Sequence, residues 1–320
     1  MDYDFEALSH GTSFFPIGLH KTVVPPNYSL GENARYNILY SHWHPEFELF
    51  YLSRGDCVFA IGGEEYPMQA GEVVFVPSGT IHSAYRTKSG SETVFYAAVF
   101  SKLLLADPAD VISEKYISPA ISGELRFNAI FSRKRPWQAE VIDLLIEIMS
   151  LYDYTPYDLD PLSGKHPEMF LKADEFGAEL TVKANILKIW RLMVEHAERV
   201  REIKPADKVN RERVRLAVDF IHKHYAEPLT LEKIAAEAYL SREYFSRVFK
   251  AETLKTPFEY LTHYRISRAM ELLEQSSLSV TEIAEKCGFS SAGYFNVRFS
   301  EIAGCTPTAY RSGSKKQNNE

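Results

Sequence analysis

Cysteine is scarce: Cys57, Cys287 and Cys305 are the only three in 320 residues, and no C-x-x-C pair occurs. That pattern disfavours a disulfide framework and a thiolate zinc site, and it fits a reducing, cytoplasmic setting. Long hydrophobic runs are missing too, none approaching the ~18 apolar residues of a membrane span. The first ten residues carry Asp2, Asp4 and Glu6, with neither the cationic start nor the apolar centre of an export signal. Secretion and membrane insertion are therefore not expected. Gly and Pro stand at only 16 each, beside 45% hydrophobic and 25% charged residues, which rules out collagen-like and disordered classes. No nucleophile–base pair and no Gly-rich phosphate loop stands out, so no catalytic residue is assigned. What remains is a chain of 36.6 kDa, large enough for at least two domains with their own cores.

A net charge of −7 argues by itself against nucleic acid as a partner. The charge is unevenly spread, however. Residues 206–320 hold 17 Lys and Arg against 15 Asp and Glu, whereas the preceding part holds 19 against 28. The acidity belongs to the first two-thirds, and the C-terminal part is free to approach phosphates.

Residues 1 to about 100 read as short strands. Phe47–Leu52, Val58–Ile61, Val73–Val76 and Val94–Phe100 are aromatic and β-branched, and Gly62-Gly63 separates two of these runs as a tight hairpin would. From Trp137 the period changes to helical. Val141, Leu144, Leu145, Ile148 and Leu151 form one stripe; Val182, Ile186, Ile189, Trp190, Met193, Ala197 and Val200 form a second. Between them, Tyr152–Gly177 reads as a long loop or inserted flap. Pro205 through Asn210 reads as a hinge, because Pro disfavours helix in its predecessor. The expected division is 1–135 as a β unit, 136–205 as a helical connector whose stripes either pair subunits or simply pack against the domain, and 206–320 as an all-α domain. If the second stripe pairs subunits, Ile189→Asp or Met193→Asp should lower the mass in solution.

The last 110 residues repeat themselves. Leu229-Thr-Leu-Glu-Lys-Ile-Ala235 returns 49 positions later as Leu278-Ser-Val-Thr-Glu-Ile-Ala284. At an offset of 50, Tyr244-Phe245, Phe249, Thr256-Pro257 and Tyr260 return as Tyr294-Phe295, Phe299, Thr306-Pro307 and Tyr310. One supersecondary unit is built twice. Each copy has a helix (Leu231–Ala238; Val280–Cys287), a short turn and a second helix entered from a Ser, the grammar of a helix-turn-helix. The early outward residues of such a second helix meet base edges in the major groove. In the first copy these are Arg242, Glu243, Ser246 and Arg247, with Lys250 placed for a phosphate. In the second they are Ser291, Ala292, Gly293, Asn296 and Val297, with Arg298 further on. The first copy is therefore expected to carry most base readout, and the second to position the protein.

These residues, with Arg265-Ile266, Ala269, Leu272-Leu273, Gly288-Phe289 and Gly304-Cys-Thr-Pro307, make Leu229–Arg311 resemble the DNA-binding domain of the AraC/XylS family of bacterial transcription regulators. The resemblance implies double-stranded DNA as partner, a long helix over Arg265–Glu274 joining two reading modules, a homodimer, and RNA polymerase as a further partner. Two positions depart from the family's pattern: its usual Gly after the first recognition helix is Leu254, and its usual Lys after Phe299 is Ser300, which implies one phosphate contact fewer.

In the β unit, His42-x-His44 is followed by Glu48 and Gly55, and later by Gly71, Pro77-Ser78-Gly79 and His82. In one strand His42, His44 and Glu48 would share a face. The pair of motifs is similar to that of the cupin superfamily, small β-barrels of jelly-roll topology, with Arg86 where an Asn is often found. Three imidazoles and a carboxylate suit a mid-to-late first-row divalent metal; the same groups could instead bind the hydroxyls of an effector in a metal-free pocket. Trp43, Phe47, Tyr51, Phe59, Tyr85 and Tyr96 are aromatic neighbours, of which Phe47 and Phe59 read as core, while Tyr51 and Tyr96 join the four polar residues as candidate ligand contacts. The remaining histidines, His10, His20, His166, His196, His222, His224 and His263, read as surface or capping residues. The resemblance implies a regulator controlled by a small molecule, a carbohydrate above all. The rival reading is a metal-dependent cupin enzyme, an oxygenase or isomerase, fused to a helical domain.

Overall fold

The computed structural model describes residues 15–24, 36–86, 92–153, 168–172, 176–200, 205–303 and 305–317. Alternating apolar residues make eight strands: β1 (Ile17–Val24), β2 (Tyr36–His42), β3 (Phe47–Arg54), β4 (Asp56–Ile61), β5 (Glu64–Gln69), β6 (Val73–Val76), β7 (His82–Arg86) and β8 (Thr93–Phe100). Gly62 and Gly63 join β4 to β5 with φ of +55° and +84°, the double left-handed turn that favours a two-residue hairpin. Two sheets result. β2, β7, β4 and β5 form one; β6, β3, β8 and β1 form the centre of the other. Strand parity divides the core between them. Phe50 and Leu52 point between the sheets toward Phe59, Val74, Val76 and Phe95, whereas Phe47 and Leu49 point to the outer face of the larger sheet.

That outer face is covered by the middle of the chain. A short helix α1 (Lys102–Leu105), a π turn (Ser113–Ile117) and α2 (Ser118–Ser122) lead through strands β9 (Leu125–Arg126) and β10 (Ile130–Phe131) to α3 (Pro136–Ser150). Strands β11 (Tyr152–Asp153) and β12 (Glu168–Leu171) follow, then α4 (Ala178–Glu195) and β13 (Glu198–Arg199). Strand structure therefore does not end before Trp137 as the periodicity implied: β12 pairs with β1, and β13 with β9. Most of the expected loop between Tyr152 and Gly177 lies outside the described residues.

Of the two roles expected for the connector stripes, the structure shows packing against the barrel. Val182, Ile186, Ile189, Trp190 and Met193 are each at most 4% exposed, and they pack with Val141, Leu145 and Ile148 against the barrel. Trp190 lies 4.9 Å from the Phe47 ring and 5.5 Å from Phe127. An amphipathic stripe specifies burial and not the identity of what buries it; here the partner is the chain's own sheet. Ile189→Asp should thus leave an unpaired carboxylate in a core, costing about 3–5 kcal/mol, and the outcome to expect is a lower melting temperature in place of a smaller assembly.

The C-terminal domain contains α5 (Pro205–His224), α6 (Leu231–Glu237), α7 (Arg242–Thr253), α8 (Pro257–Gln275), α9 (Val280–Lys286), α10 (Ala292–Ala303) and α11 (Pro307–Gln317). The hinge expected at Pro205–Asn210 is instead the first turns of α5, because Pro is well suited to the opening position of a helix. The repeat is realised residue by residue: Ile234, Phe245, Phe249 and Tyr260 are buried in one unit, and Ile283, Phe295, Phe299 and Tyr310 in the other. Ser241 Oγ accepts the Tyr244 amide at 3.4 Å, and Ser291 Oγ accepts that of Tyr294 at 3.1 Å, so both second helices start from a capped end. α8 joins the units as one helix.

The turns differ. Gly288 sits at φ +78° with the Tyr225 and Ala226 carbonyls within 3 Å of where a Cβ would stand, so only glycine fits. The matching residue in the first unit is Tyr239, at φ +54° and 77% exposed. Its side chain gives up little if removed, while a left-handed conformation strains any L-residue. Tyr239→Gly should therefore stabilise the protein by about 0.5–1 kcal/mol, read as a raised melting temperature. Leu254 also takes the left-handed conformation, at φ +60°, with its amide bonded to the Lys250 carbonyl, so the turn keeps its geometry without glycine.

Candidate functional site

The four polar residues of the barrel converge, though from four places and not from one strand. His42 closes β2, His44 lies in the turn that crosses to the other sheet, Glu48 is the second residue of β3, and His82 opens β7 opposite His42. The assumption of a continuous strand over 42–48 fails at residues 43–46, yet the crossing turn delivers all four groups to one point, with one ligand atom from each within 4.8 Å of the others. Glu48 and His82 are 2% and 1% exposed.

The protonation pattern follows from the bonds. His82 Nδ1 lies 2.9 Å from the Thr80 carbonyl, which can only accept, so Nδ1 carries the proton. Nε2 of the same ring faces Glu48 Oε2 at 3.2 Å. The same carboxylate oxygen is 3.1 Å from His44 Nε2. Burial by itself would raise the Glu48 pKa, but the imidazoles of His82 and His44 outweigh it and hold the carboxyl well below its usual range. A carboxylate kept ionised among three imidazoles, one of them oriented by the carbonyl behind it, is a set of groups that could hold a metal ion. The sequence reading missed Glu46, whose Oε2 stands 3.6 Å behind His44 Nδ1.

Two candidate contacts are corrected. Tyr51 and Tyr96 pair across β3 and β8 but belong to the outer, helix-covered face. Tyr51 is three residues from Glu48, an odd step that turns a strand side chain to the opposite side. Phe47 and Phe59 are fully buried, as expected, and Phe59 stacks on the His82 ring. Among the histidines read as surface groups, His20 and His222 are buried at 8% and 4% exposure. Burial, with Arg268 nearby, pushes the His222 imidazole down to about 3, and its Nε2 lies 2.9 Å from the Tyr260 hydroxyl. His10 and His166 lie outside the described residues.

A second group of residues escaped the sequence reading because it joins distant parts of the chain. Trp43 Nε1 donates to Asp219 Oδ1 of α5 at 3.0 Å, the Arg215 guanidinium lies 5.3 Å from the Trp43 ring, and the Tyr260 hydroxyl donates to the Ser41 carbonyl at 2.8 Å. Ile81 is buried among α5, α6 and α7 residues. The barrel and the first helix-turn-helix unit thus share a seam. It includes a cleft of about 10 Å³ lined by Ser41, Ile61, His82 and Glu252–Leu254, room for one water.

On the DNA-reading side, Arg242, Glu243, Arg247 and Lys250 of α7 are exposed and Ser246 is half-buried; Ser291 and Asn296 of the second unit are exposed and Arg298 is half-buried. Arg242 is bonded to Glu232 at 2.6 Å. Arg247 has its guanidinium 5.0 Å from the Tyr244 ring, and among the described residues no carboxylate pairs with it. Arg298 pairs with Glu301 at 2.5 Å. No described helix is long and apolar enough to cross a membrane.

Comparison with known proteins matches this geometry to named families. A helix-turn-helix domain family covers residues 234–313, and a cupin domain family covers residues 36–99. The chain is 25% identical over 310 residues to the HTH-type transcriptional regulator YdeC of Bacillus subtilis, spanning 96% of this chain and 95% of that one. Over 92 residues it is 35% identical to the MmsAB operon regulatory protein of Pseudomonas aeruginosa, 29% of this chain and 30% of that protein. Among solved structures, the DNA-binding domain of AdpA in complex with a target DNA is 33% identical, covering 34% of this chain and 97% of that one, with a TM-score of 0.33. ToxT from Vibrio cholerae covers 92% of this chain and 98% of its own at 12% identity and a TM-score of 0.45. The chain thus carries a cupin domain followed by a doubled helix-turn-helix domain, and it is similar almost end to end to an HTH-type transcriptional regulator.

Proposed function

We propose that this regulator reads double-stranded DNA through α7 and α10 and is controlled by a divalent first-row transition metal held by His42, His44, Glu48 and His82. In the first unit Arg242, Glu243, Ser246 and Arg247 meet base edges and Lys250 meets a phosphate; in the second, Ser291, Asn296 and Arg298 set the register. The observation that carries the sensor half is the convergence of these four side chains, with one ligand atom from each within 4.8 Å of the others around the buried Glu48 and His82. When bound, the metal would supply a fixed positive charge that holds the strands β2, β3 and β7 at one point.

A carbohydrate effector, a homodimer, contact with RNA polymerase and a cytoplasmic setting come to the chain from the family resemblance alone. A sugar would need a pocket of several hundred Å³, whereas the interior beneath the cluster is filled by Phe50, Phe59 and Phe95, so the ion is the reading we favour. Elemental analysis of protein purified without chelator tests it. About one equivalent of transition metal is expected in the wild type and a large loss in Glu48→Gln and His82→Gln; metal-free wild type, with no uptake on adding zinc, would contradict it.

A further inference from the structure

We propose that the seam between barrel and first helix-turn-helix unit is an autoinhibitory clamp that holds the acidic tip of the β4–β5 hairpin beside the recognition helix α7, and that the metal cluster sets its grip. The second half rests on the metal reading above.

The clamp is visible in the contacts. Trp43 and Ser41 are tied to Asp219 and Tyr260 by the bonds already described, and Gly79 packs so closely on Arg215 that a Cβ there would sit 2.5 Å from the guanidinium carbon. At the far end, a Cβ on Gly63 would stand 1.9 Å from the Ala251 carbonyl, so the hairpin tip is against the C-terminal turn of α7 itself. Ala251 directly follows Lys250, and Gly63 is directly followed by the exposed Glu64 and Glu65. Carboxylates are thereby placed next to the end of the helix whose Arg and Lys side chains are to meet phosphates. Such charge repels a duplex.

The link to the cluster is the backbone itself. Ser41 and Trp43 alternate with His42 and His44, and Gly79 and Ile81 precede His82, so the cluster and the seam are carried by the same two stretches. The stretches are also joined directly, by the Gly79 amide on the His44 carbonyl at 2.8 Å and by the Ser78 hydroxyl on the Pro45 carbonyl at 2.7 Å. Drawing the three imidazoles onto one ion must shift the residues between them, and a packed seam responds to small shifts by holding or letting go.

Two variants test the clamp away from the candidate ligands: Asp219→Ala, which removes the acceptor for Trp43, and Glu64→Gln with Glu65→Gln, which discharges the hairpin tip. The probe is a duplex selected from a random pool by the wild-type protein, titrated against full-length, chelator-treated protein. Asp219→Ala is expected to bind it roughly 2- to 10-fold tighter, the worth of one released hydrogen bond. The double Gln variant is expected to bind tighter as well, with a gain that shrinks as salt rises. Unchanged or weaker binding by both overturns the clamp. Zinc should then alter the affinity of the wild type more than that of Asp219→Ala; an equal response, with zinc bound to both, overturns the link to the cluster. Wild type that binds no zinc refutes the metal reading instead, and the clamp is still decided by the metal-free comparison.

Discussion

Arg247→Ala should weaken discrimination between the selected duplex and a single-base variant of it by about 5- to 150-fold, the range of one two-pronged guanidinium contact with guanine. Asn296→Ala should weaken it far less. The difference comes from the two recognition faces. Arg247 is exposed, has no carboxylate partner among the described residues, and lies beside the Tyr244 ring, which limits its wandering before DNA arrives. Arg242 must first leave Glu232, so its replacement should cost less than that of Arg247. The corresponding face of α10 presents Gly293, Asn296 and Val297, with Val297 55% exposed, and its cation Arg298 is engaged by Glu301. Fluorescence anisotropy with matched and mismatched duplexes measures the comparison. Equal losses in the two variants would show that both units read bases alike.

Zinc at a hundred times its dissociation constant should stabilise the native chain by about 2.7 kcal/mol, a rise in melting temperature of roughly 4 °C for a chain of this size. The gain should vanish in Glu48→Gln, in which the neutral amide does not balance a cation, and in His82→Gln. Tyr51→Phe and Tyr96→Phe should keep it, since both side chains lie on the far side of the sheet. Differential scanning calorimetry with and without chelator reads all five proteins. A zinc response that persists in Glu48→Gln, or that is lost in Tyr51→Phe, would place the site elsewhere.

Much of this was legible in the sequence, for physical reasons that can be named. The doubled helix-turn-helix was visible because its buried residues recur at matched offsets, and the same offsets reappear as matched cores. The four polar residues expected to converge do lie together even though the strand thought to carry three of them breaks at Trp43, because the turn compensates for the break. Periodicity did not reveal partners. The α4 stripe announced burial but not that Phe47 and Phe75 would be the surface receiving it. Parity would have excluded Tyr51, three residues from Glu48. The seam lay out of reach: Trp43 and Asp219 are 176 positions apart, and nothing local in either marks the other. Pro205 looked like a break because only its effect on the preceding residue was weighed, and not its fitness to begin a helix.

The most direct measurement is the binding site itself, selected from a pool of random duplexes and footprinted with the full-length protein. Two protected elements on one face of the DNA, about 10 base pairs apart centre to centre, with the element contacted by α7 the more sharply defined in sequence, are the predicted result. A single isolated element, or enrichment that survives replacing Arg247 and Arg242 together, would contradict the reading of α7 and α10 as paired DNA-reading helices.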